Sequence, residues 1–402
     1  MTDDSVGAVS LAIKAHGQIS AIGQAAWDAC ANPVEANPEC GVPFDPFTSY
    51  AFLSALEESE SACARTGWAP YHLELVSEDE GTLAVMPMYL KNHSQGEYVF
   101  DYSWADAFER AGGNYYPKLQ VSVPFTPATG RRLLTRHRPD IEDLESYLLS
   151  GCMQVAEQMK VSSVHITFPE ETEWQRMGGV GFLQRTHKQF HWQNDGYATF
   201  DDFLAALSSK KRKNIRRERR EALTNGIEIE LLTGADLREE HWDAFYQFYI
   251  DTGHRKWGSP YLKRAFFSII GETMPENVLL VMCKREGRYV AGAINFIGSE
   301  CLFGRNWGCV EDHPFLHFEV CYYQAIEFAI SRGINRVEAG AQGPHKLARG
   351  YLPSHTYSAH WIVNESFRDA VDHFLTQERD YVDEEIDYIN EHTPFRREND
   401  DG

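Results

Sequence analysis

Residues 203–233 read FLAALSSKKRKNIRRERREALTNGIEIELLT. Eight of the eleven residues from Lys210 to Arg220 are Lys or Arg, in a chain of formal net charge -21. At helical spacing Lys213, Arg216, Arg217 and Arg220 share one broad face, while Ile215 and Leu223 need a core. Gly226 follows, and then IEIELLT, rich in β-branched and apolar residues, predicts a strand. Two readings of the basic helix are open. It is a solvated helix in which Glu218 and Glu221 pair with some of the arginines, or it meets a polyanion such as tRNA, a nucleotide sugar or coenzyme A. Two acids cannot neutralise eight bases, which argues for the second.

Outward from this stretch the same order of elements appears twice. Downstream, 237–274 is mostly helical with a break at GHRKWGSPY. NVLLVMCKREGRYVAGAINFIGSECLFGRNWG is a run of strands with turns at REGR and GSE. Leu316–Ser331 is an amphipathic helix, and NRVEAGAQ and HTYSAHWIV are strands. Upstream, 9–15 predicts a strand and 47–63 a helix. The stretch from Thr66 to Trp104 alternates as antiparallel strands, 115–135 is a loop-like insert, and 141–159 is helical. SSVHITF is a strand, and TEWQRMGGVGF a short helix ending at glycine. The expected organisation is a first unit over 1–194, a second over 195–370 opened by a basic helix at 202–223, and an acidic helix with a charged tail over 371–402.

The totals constrain function. At 402 residues, 43% hydrophobic and 24% charged, the chain is long enough for two or three domains with sizeable cores. Its acidity argues against general affinity for DNA or anionic membranes, because phosphate repels it. The first residues lack the basic-then-apolar order of a signal peptide, and no long apolar run predicts a membrane span. The eight cysteines are scattered without a CxxC pair, which fits free thiols in a reducing cytoplasm. No GxSxG, HExxH, Walker or Cys/His metal spacing is present, so no metal or prosthetic group is expected.

The duplicated order resembles two tandem domains of the GCN5-related N-acetyltransferase (GNAT) fold. This is an α/β (α+β) architecture, each domain a mixed, mostly antiparallel sheet flanked by helices. Three segments sharpen the resemblance. Residues 203–233 look like the basic helix and following strand of Fem-type aminoacyltransferases. HFEVCYYQAIEFAISRGINRVEAGA, followed by HKLARGY, looks like that family's helix, strand and lysine-containing loop. NYYPKLQVSVPFTPATGRRLL resembles a bacterial family of N-acyltransferases named for peptidoglycan biosynthesis. The resemblance implies an acyl-transfer site in or beside a cleft between the domains.

Such chemistry needs an amine to attack a carbonyl, donors for the oxyanion that forms, and a group to take the proton. Arg176–Gly181 has the letters of a CoA pyrophosphate loop, but follows a helix and predicts a helix end instead. Arg305, Asn306 and Trp307 are better placed, after strands and before a helix, although Glu311 and Asp312 would repel phosphate. The resemblance aligns Lys346 with the loop lysine near the acyl donor; a lysine there stabilises an oxyanion or binds phosphate. His345 stands where the pattern has an aromatic residue. Glu338, Gln342 and Arg349 cluster on the same loop. His317 and Glu319, two apart, would suit an extended approach to the cleft and could take an amine proton. Tyr116, Lys118 and Gln120 are polar tips on the 115–135 insert, suited to a substrate wall or to a core crossing. Arg212 and Arg216 match arginines of the Fem-like helix and are expected on substrate phosphate.

The expected function is therefore acyl or aminoacyl transfer to an amine of a small or cell-wall-related acceptor. Lys346, Glu338, His317 and Glu319 are the expected catalytic residues. The donor would be aminoacyl-tRNA, favoured because the phosphate-loop signature is degraded, or acyl-CoA. The competing reading is a non-catalytic module that binds a ligand in the same cleft.

Overall fold

The computed structural model of the protein describes residues 10–33, 41–256, 260–340 and 344–396. Apolar alternation makes strands, and helices run between capping signals. Thr199 illustrates the second point: it accepts from the Asp202 amide while the Asp202 carboxylate accepts from Thr199 N–H, a reciprocal cap at the entry to the second half. In chain order the first half contains β1 (Leu11–His16), α1 (Gln24–Ala31), α2 (Tyr50–Glu58), β2 (Trp68–Pro70), β3 (His72–Ser77), β4 (Gly81–Met86) and β5 (Met88–Lys91). It continues with α3 (Tyr102–Arg110), β6 (Lys118–Val121), β7 (Leu134–Thr135), α4 (Ile141–Met159), β8 (Ser163–Thr167), α5 (Glu171–Gly179) and β9 (Leu183–Gln193). The second half contains α6 (Phe200–Ala206), α7 (Ser209–Ala222), β10 (Ile227–Leu232), α8 (Glu239–Lys256), α9 (Arg264–Thr273), β11 (Val278–Arg285), β12 (Arg288–Ile297) and β13 (Cys301–Cys309). It ends with α10 (Leu316–Phe318), a π turn (Glu319–Tyr323), α11 (Gln324–Arg332), β14 (Arg336–Glu338), β15 (Leu352–Ile362) and α12 (Glu365–Asn390).

Eleven strands form one sheet in the order β10-β11-β12-β13-β14-β9-β15-β8-β6-β5-β2, and β1-β3-β4-β7 form a second. Most neighbours are antiparallel. The exceptions are β13 with β14 and β6 with β8, one parallel pair in each half. The halves exchange their last strands: β9 of the first half pairs with β14, and β15 of the second pairs with β8. The sheet therefore runs unbroken across the boundary expected at residue 194. This is the duplicated GNAT-like α/β plan, with the two copies interlocked.

Cores confirm the interlocking. Trp27, Phe47 and Phe52 of the first half share one buried cluster with Phe245, Phe266, Phe296 and Phe303 of the second. Phe47 meets Phe296 and Phe303 at ring distances of 5.1 and 5.0 Å. A second core lies between β9–β14 and helices α6, α7 and α11, and a third between α4 and the first-half strands.

Three local expectations need correction. The 115–135 insert contains strands β6 and β7, because Lys118–Val121 is wholly buried and pairs on both sides. Arg305, Asn306 and Trp307 lie within β13, not after it. His317 and Glu319 are helical, not extended. Among the described residues no helix is long and apolar enough to cross a membrane, and no group of His, Cys, Asp and Glu is arranged to hold a metal ion.

Candidate active site

The parallel pair in the second half is only three residues long. Cys301, Leu302 and Phe303 pair with Arg336, Val337 and Glu338, and there β14 stops. β13 continues to Cys309 paired with β12 alone, and a bulge at Arg305 shifts its register between Gly304 and Asn306. A gap opens in the sheet where β14 ends. Gly304 borders it, where a Cβ would lie 3.3 Å from Asn295 Oδ1 and 3.4 Å from the Glu338 carbonyl.

The helix over the gap is broken at mid-length by the π turn Glu319–Tyr323. Such turns insert one residue and re-aim the neighbouring side chains. His317, Cys321 and Tyr322 line a cavity of about 90 Å³ with Asn295, Gly304, Arg305, Asn306, Trp307 and Ala339. His317 packs edge-on against Trp307 at 5.4 Å and Tyr322 at 5.6 Å. Tyr322 OH is hydrogen-bonded to His345 Nε2 at 2.8 Å, and burial together with Arg349 and Lys346 lowers the His345 pKa. Five sequence-derived candidates thus meet here: Arg305, Asn306, Trp307, His317 and His345. Arg305 also reaches the first half, donating to the Phe125 carbonyl.

Lys346 is wholly buried, and its Nζ donates to the Gly340 carbonyl at 2.6 Å. Burial lowers its pKa to about 8, while Cys321 and Glu338 pull the other way. Its chain neighbour His345 is the partner of Tyr322, which lines the cavity, and Lys346 is close enough to Cys321 to feel its charge. Glu338 is 3% exposed, and among the described residues neither carboxylate oxygen has a hydrogen-bond partner. Arg336 Nε lies 3.1 Å from Glu338 Oε1 without bonding geometry, and His191 Nε2 lies at 3.9 Å.

Other candidates are used to hold the structure. Glu319, 1% exposed, accepts from Arg219 at 3.0 and 3.2 Å and from Gln324 at 2.8 Å. These bonds tie α7 to the π turn and leave the Glu319 carboxylate without a face on the cavity. Arg349 donates to both oxygens of Glu218 at 2.9 and 3.1 Å and to the His345 carbonyl, with its guanidinium 3.5 Å above the Phe318 ring. Tyr323 OH also donates to Glu218. Lys118 is far from the gap: it is fully buried and donates to Ser94, Glu97 and Asp101, the first two at 2.8 Å and the third at 2.5 Å. Gln120 is fully buried too and donates to Thr167; Tyr116 bonds Ser94. Lys118 and Gln120 face the first-half interior, where Glu97 and Asp101 neutralise the lysine, so they form no substrate wall; Tyr116 is half-buried beside them. Gln342 lies outside the described residues.

The basic helix divides its charge. Arg219 and Glu218 dock α7 against the site, and Arg216 makes an exposed pair with Asp201 at 2.9 Å. Lys210, Lys211, Arg212, Lys213 and Arg220 have no ion partner among the described residues. Glu218, Tyr322 and Cys321 were not singled out from sequence. Glu218 reads as an intrahelical partner but accepts from Arg349 and Tyr323 instead, while Tyr322 and Cys321 lie on the π turn.

Residues 18–397 match the model of the FemAB-like family, described as peptidoglycan biosynthesis/recognition, and the chain belongs to that family. No curated protein is similar to it in sequence. Solved structures share its fold at low identity. A crystal structure of FemX has TM-score 0.52 and 13% identity, covering 83% of this chain and 96% of that one. L-PGS from Bacillus licheniformis has TM-score 0.50 and 11% identity, covering 84% and 99%. The C-terminal domain of a putative lysylphosphatidylglycerol synthetase from Agrobacterium fabrum has TM-score 0.51 and 8% identity, covering 86% and 95%.

Proposed function

We propose that this FemAB-like protein is an N-acyltransferase that moves an aminoacyl or acyl group from an activated donor to an amine, in the gap beyond β14. The observation that carries the reading is Lys346. A fold that buries an amine and holds it on one carbonyl beside a cavity accepts a desolvation cost that packing alone does not require. Below about pH 8 it is an ammonium held on the Gly340 carbonyl, and in this reading it exchanges that acceptor for the oxyanion as the tetrahedral intermediate forms. The acceptor nitrogen attacks the donor carbonyl, a C–N bond forms, and the C–O or C–S bond to the carrier breaks. Glu338, a buried carboxylate that accepts no hydrogen bond among the described residues and is ion-paired with Arg336, takes the proton the amine loses, and the leaving oxygen or sulfur is protonated in turn. Asn306 and His317 line the cavity and orient the acyl group.

For the donor, aminoacyl-tRNA is favoured over acyl-CoA. α7 is docked through Glu218 and Arg219, and its bases Lys210–Lys213, without ion partners among the described residues, continue along the same helix, where a carrier phosphate backbone would run in this reading. Residues 305–309 are strand and 178–181 are a helix end, so neither offers the loop-to-helix phosphate cradle of a CoA site. The names FemX and lysylphosphatidylglycerol synthetase favour aminoacyl chemistry as well. The reaction would take place in the cytoplasm on a small or cell-wall-related amine.

The test is binding of mixed aminoacylated tRNA across a salt series, with an Arg212→Ala/Arg216→Ala variant alongside. Expected are a log–log salt slope of several units, at roughly 0.7–0.9 per phosphate contacted, and a shallower slope for the variant. Absence of binding at low salt would remove tRNA as donor. Loss of acyl transfer in Lys346→Met, with tRNA binding intact, separates an enzyme from a binding module.

A further inference from the structure

Side chains of β14 alternate across the sheet. Val337 enters the core beneath α11, so Arg336 and Glu338 face the first half. On that face lies a second cavity, of about 100 Å³, closed by both halves. Asp45, Thr129, Gly130, Arg131 and Glu170 come from the first half, and Glu300, Cys301, Phe303 and Arg336 from the second. Cys301 and Phe303 are the strand partners of Arg336 and Glu338, so the Glu338 carboxylate rises from this same wall.

Polar groups here lack hydrogen bonds, although Arg336 Nε and Glu338 Oε1 form an ion pair at 3.1 Å. Beside the two Glu338 oxygens, Thr129 Oγ1 and Arg336 Nε are buried with no hydrogen bond among the described residues. Buried polar atoms in folded proteins are nearly always bonded, and each exception calls for a reason such as strain, chemistry or a bound ion. The charges do not cancel either. Four acids (Asp45, Glu170, Glu300 and Glu338) meet Arg131, Arg132 and Arg336. Arg131 is bonded to the carbonyls of Cys30, Ala31 and Thr135, and Arg132 to those of Ala128, Arg131 and Thr167. Burial raises the Asp45 pKa to about 6, with Glu338 and Glu170 adding to it and Arg132 opposing. Gly130 keeps the space open, since a Cβ there would collide with Asp45 Oδ2.

We infer that this cavity is a cation site for the terminal ammonium of an aminoalkyl group on the acceptor, with Glu338 and Asp45 as its counter-charges. At roughly 30 Å³ per water-sized group it holds an ammonium and two or three methylenes, and the rest of the acceptor must extend outside. Because Glu338 stands at the end of β14, the ammonium is bound at the edge of the gap, on the sheet face opposite α11. Donor and acceptor then approach the gap from opposite faces. The assignment of the cation to the acceptor rests on the acyl-transfer reading; the cation site itself does not.

The experiment uses the full chain without donor and n-butylammonium as probe, with n-butanol as the uncharged control, followed by calorimetry or thermal shift. Expected is millimolar binding of the amine, none of the alcohol, and at least tenfold weaker binding in Glu338→Gln and in Asp45→Asn. Two independent substitutions keep the test valid if one fails to fold. Equal response to amine and alcohol across the millimolar range would mean a cavity filled by water only and overturn the inference. So would unchanged amine affinity in both variants. Amine binding without any acyl transfer would leave the cation site standing and remove the transferase reading.

Discussion

Replacing Lys346 by methionine should raise stability while abolishing acyl transfer. Lys346 is wholly buried, and burial takes its pKa from 10.5 to about 8. At about 1.4 kcal/mol per pH unit, the charged form is disfavoured in the fold by roughly 3 kcal/mol. The folded pKa is depressed, so the unfolded chain binds the proton more tightly and the whole cost is present below pH 8. It shrinks as pH rises from 8 to 10.5 and vanishes above. Methionine has similar volume and no charge. It loses the bond to the Gly340 carbonyl, worth about 1 kcal/mol. The expected net gain is about 2 kcal/mol at pH 7, falling toward zero near pH 9.5. Urea denaturation at the two pH values measures it, alongside single-turnover transfer. A variant destabilised by more than about 1 kcal/mol at pH 7 would make Lys346 a structural lysine and refute the reasoning. So would a gain that does not diminish with pH.

Arg219→Ala should cost about 3 kcal/mol in denaturant titration, because it strands the buried Glu319 carboxylate. Arg212→Ala and Lys213→Ala should stay within about 0.5 kcal/mol, and equal losses at all three positions would deny the division of labour along α7. His165 and His360 bond through their Nδ1 atoms at 2.7 Å and join β8 to the exchanged strand β15. Burial, with Lys118 for His165 and His165 itself for His360, holds both pKa values down, His165 at about 3. Folded pKa values below the unfolded 6.5 mean stability is lost as pH falls from 6.5, and His165→Gln/His360→Gln should remove up to two protons of slope, roughly 3 kcal/mol per pH unit. An unchanged slope between pH 6 and 4.5 would sink this account.

Much of the site was legible as local pattern. The basic helix, the helix–strand–loop run ending in Lys346, and the candidates from Arg305 to Trp307 are all contiguous in sequence, and the gap collects them. What failed was information held between segments. Lys118 and Gln120 read as loop tips because Pro, Gly and Thr surround them. They are interior because Glu97 and Asp101, about twenty residues upstream, neutralise the lysine. Glu319 reads as a base because nothing local shows that Arg219, a hundred residues away, already holds it. His317 was placed on an extended segment because a π turn has no sequence signature at one residue's resolution. Strand exchange left no trace either, since β9 and β15 satisfy the same alternation in either sheet.

That exchange explains why the gap carries a long loop. His191 of β9 pairs with Glu338 at the end of β14 and with Leu352 at the start of β15. The chain leaves β14 and enters β15 at one level, having crossed a single intervening strand. Two strand spacings are about 10 Å, a distance three or four extended residues would cover. The connection instead runs over residues 339–351, and its described part turns back as a helical segment at Pro344–Arg349. The surplus holds His345, Lys346 and Arg349, each bonded toward α7, the π turn or Gly340 rather than along the shortest path. A connection far longer than its span, ordered by buried polar contacts on a rigid frame, is where chemistry is placed on a fold.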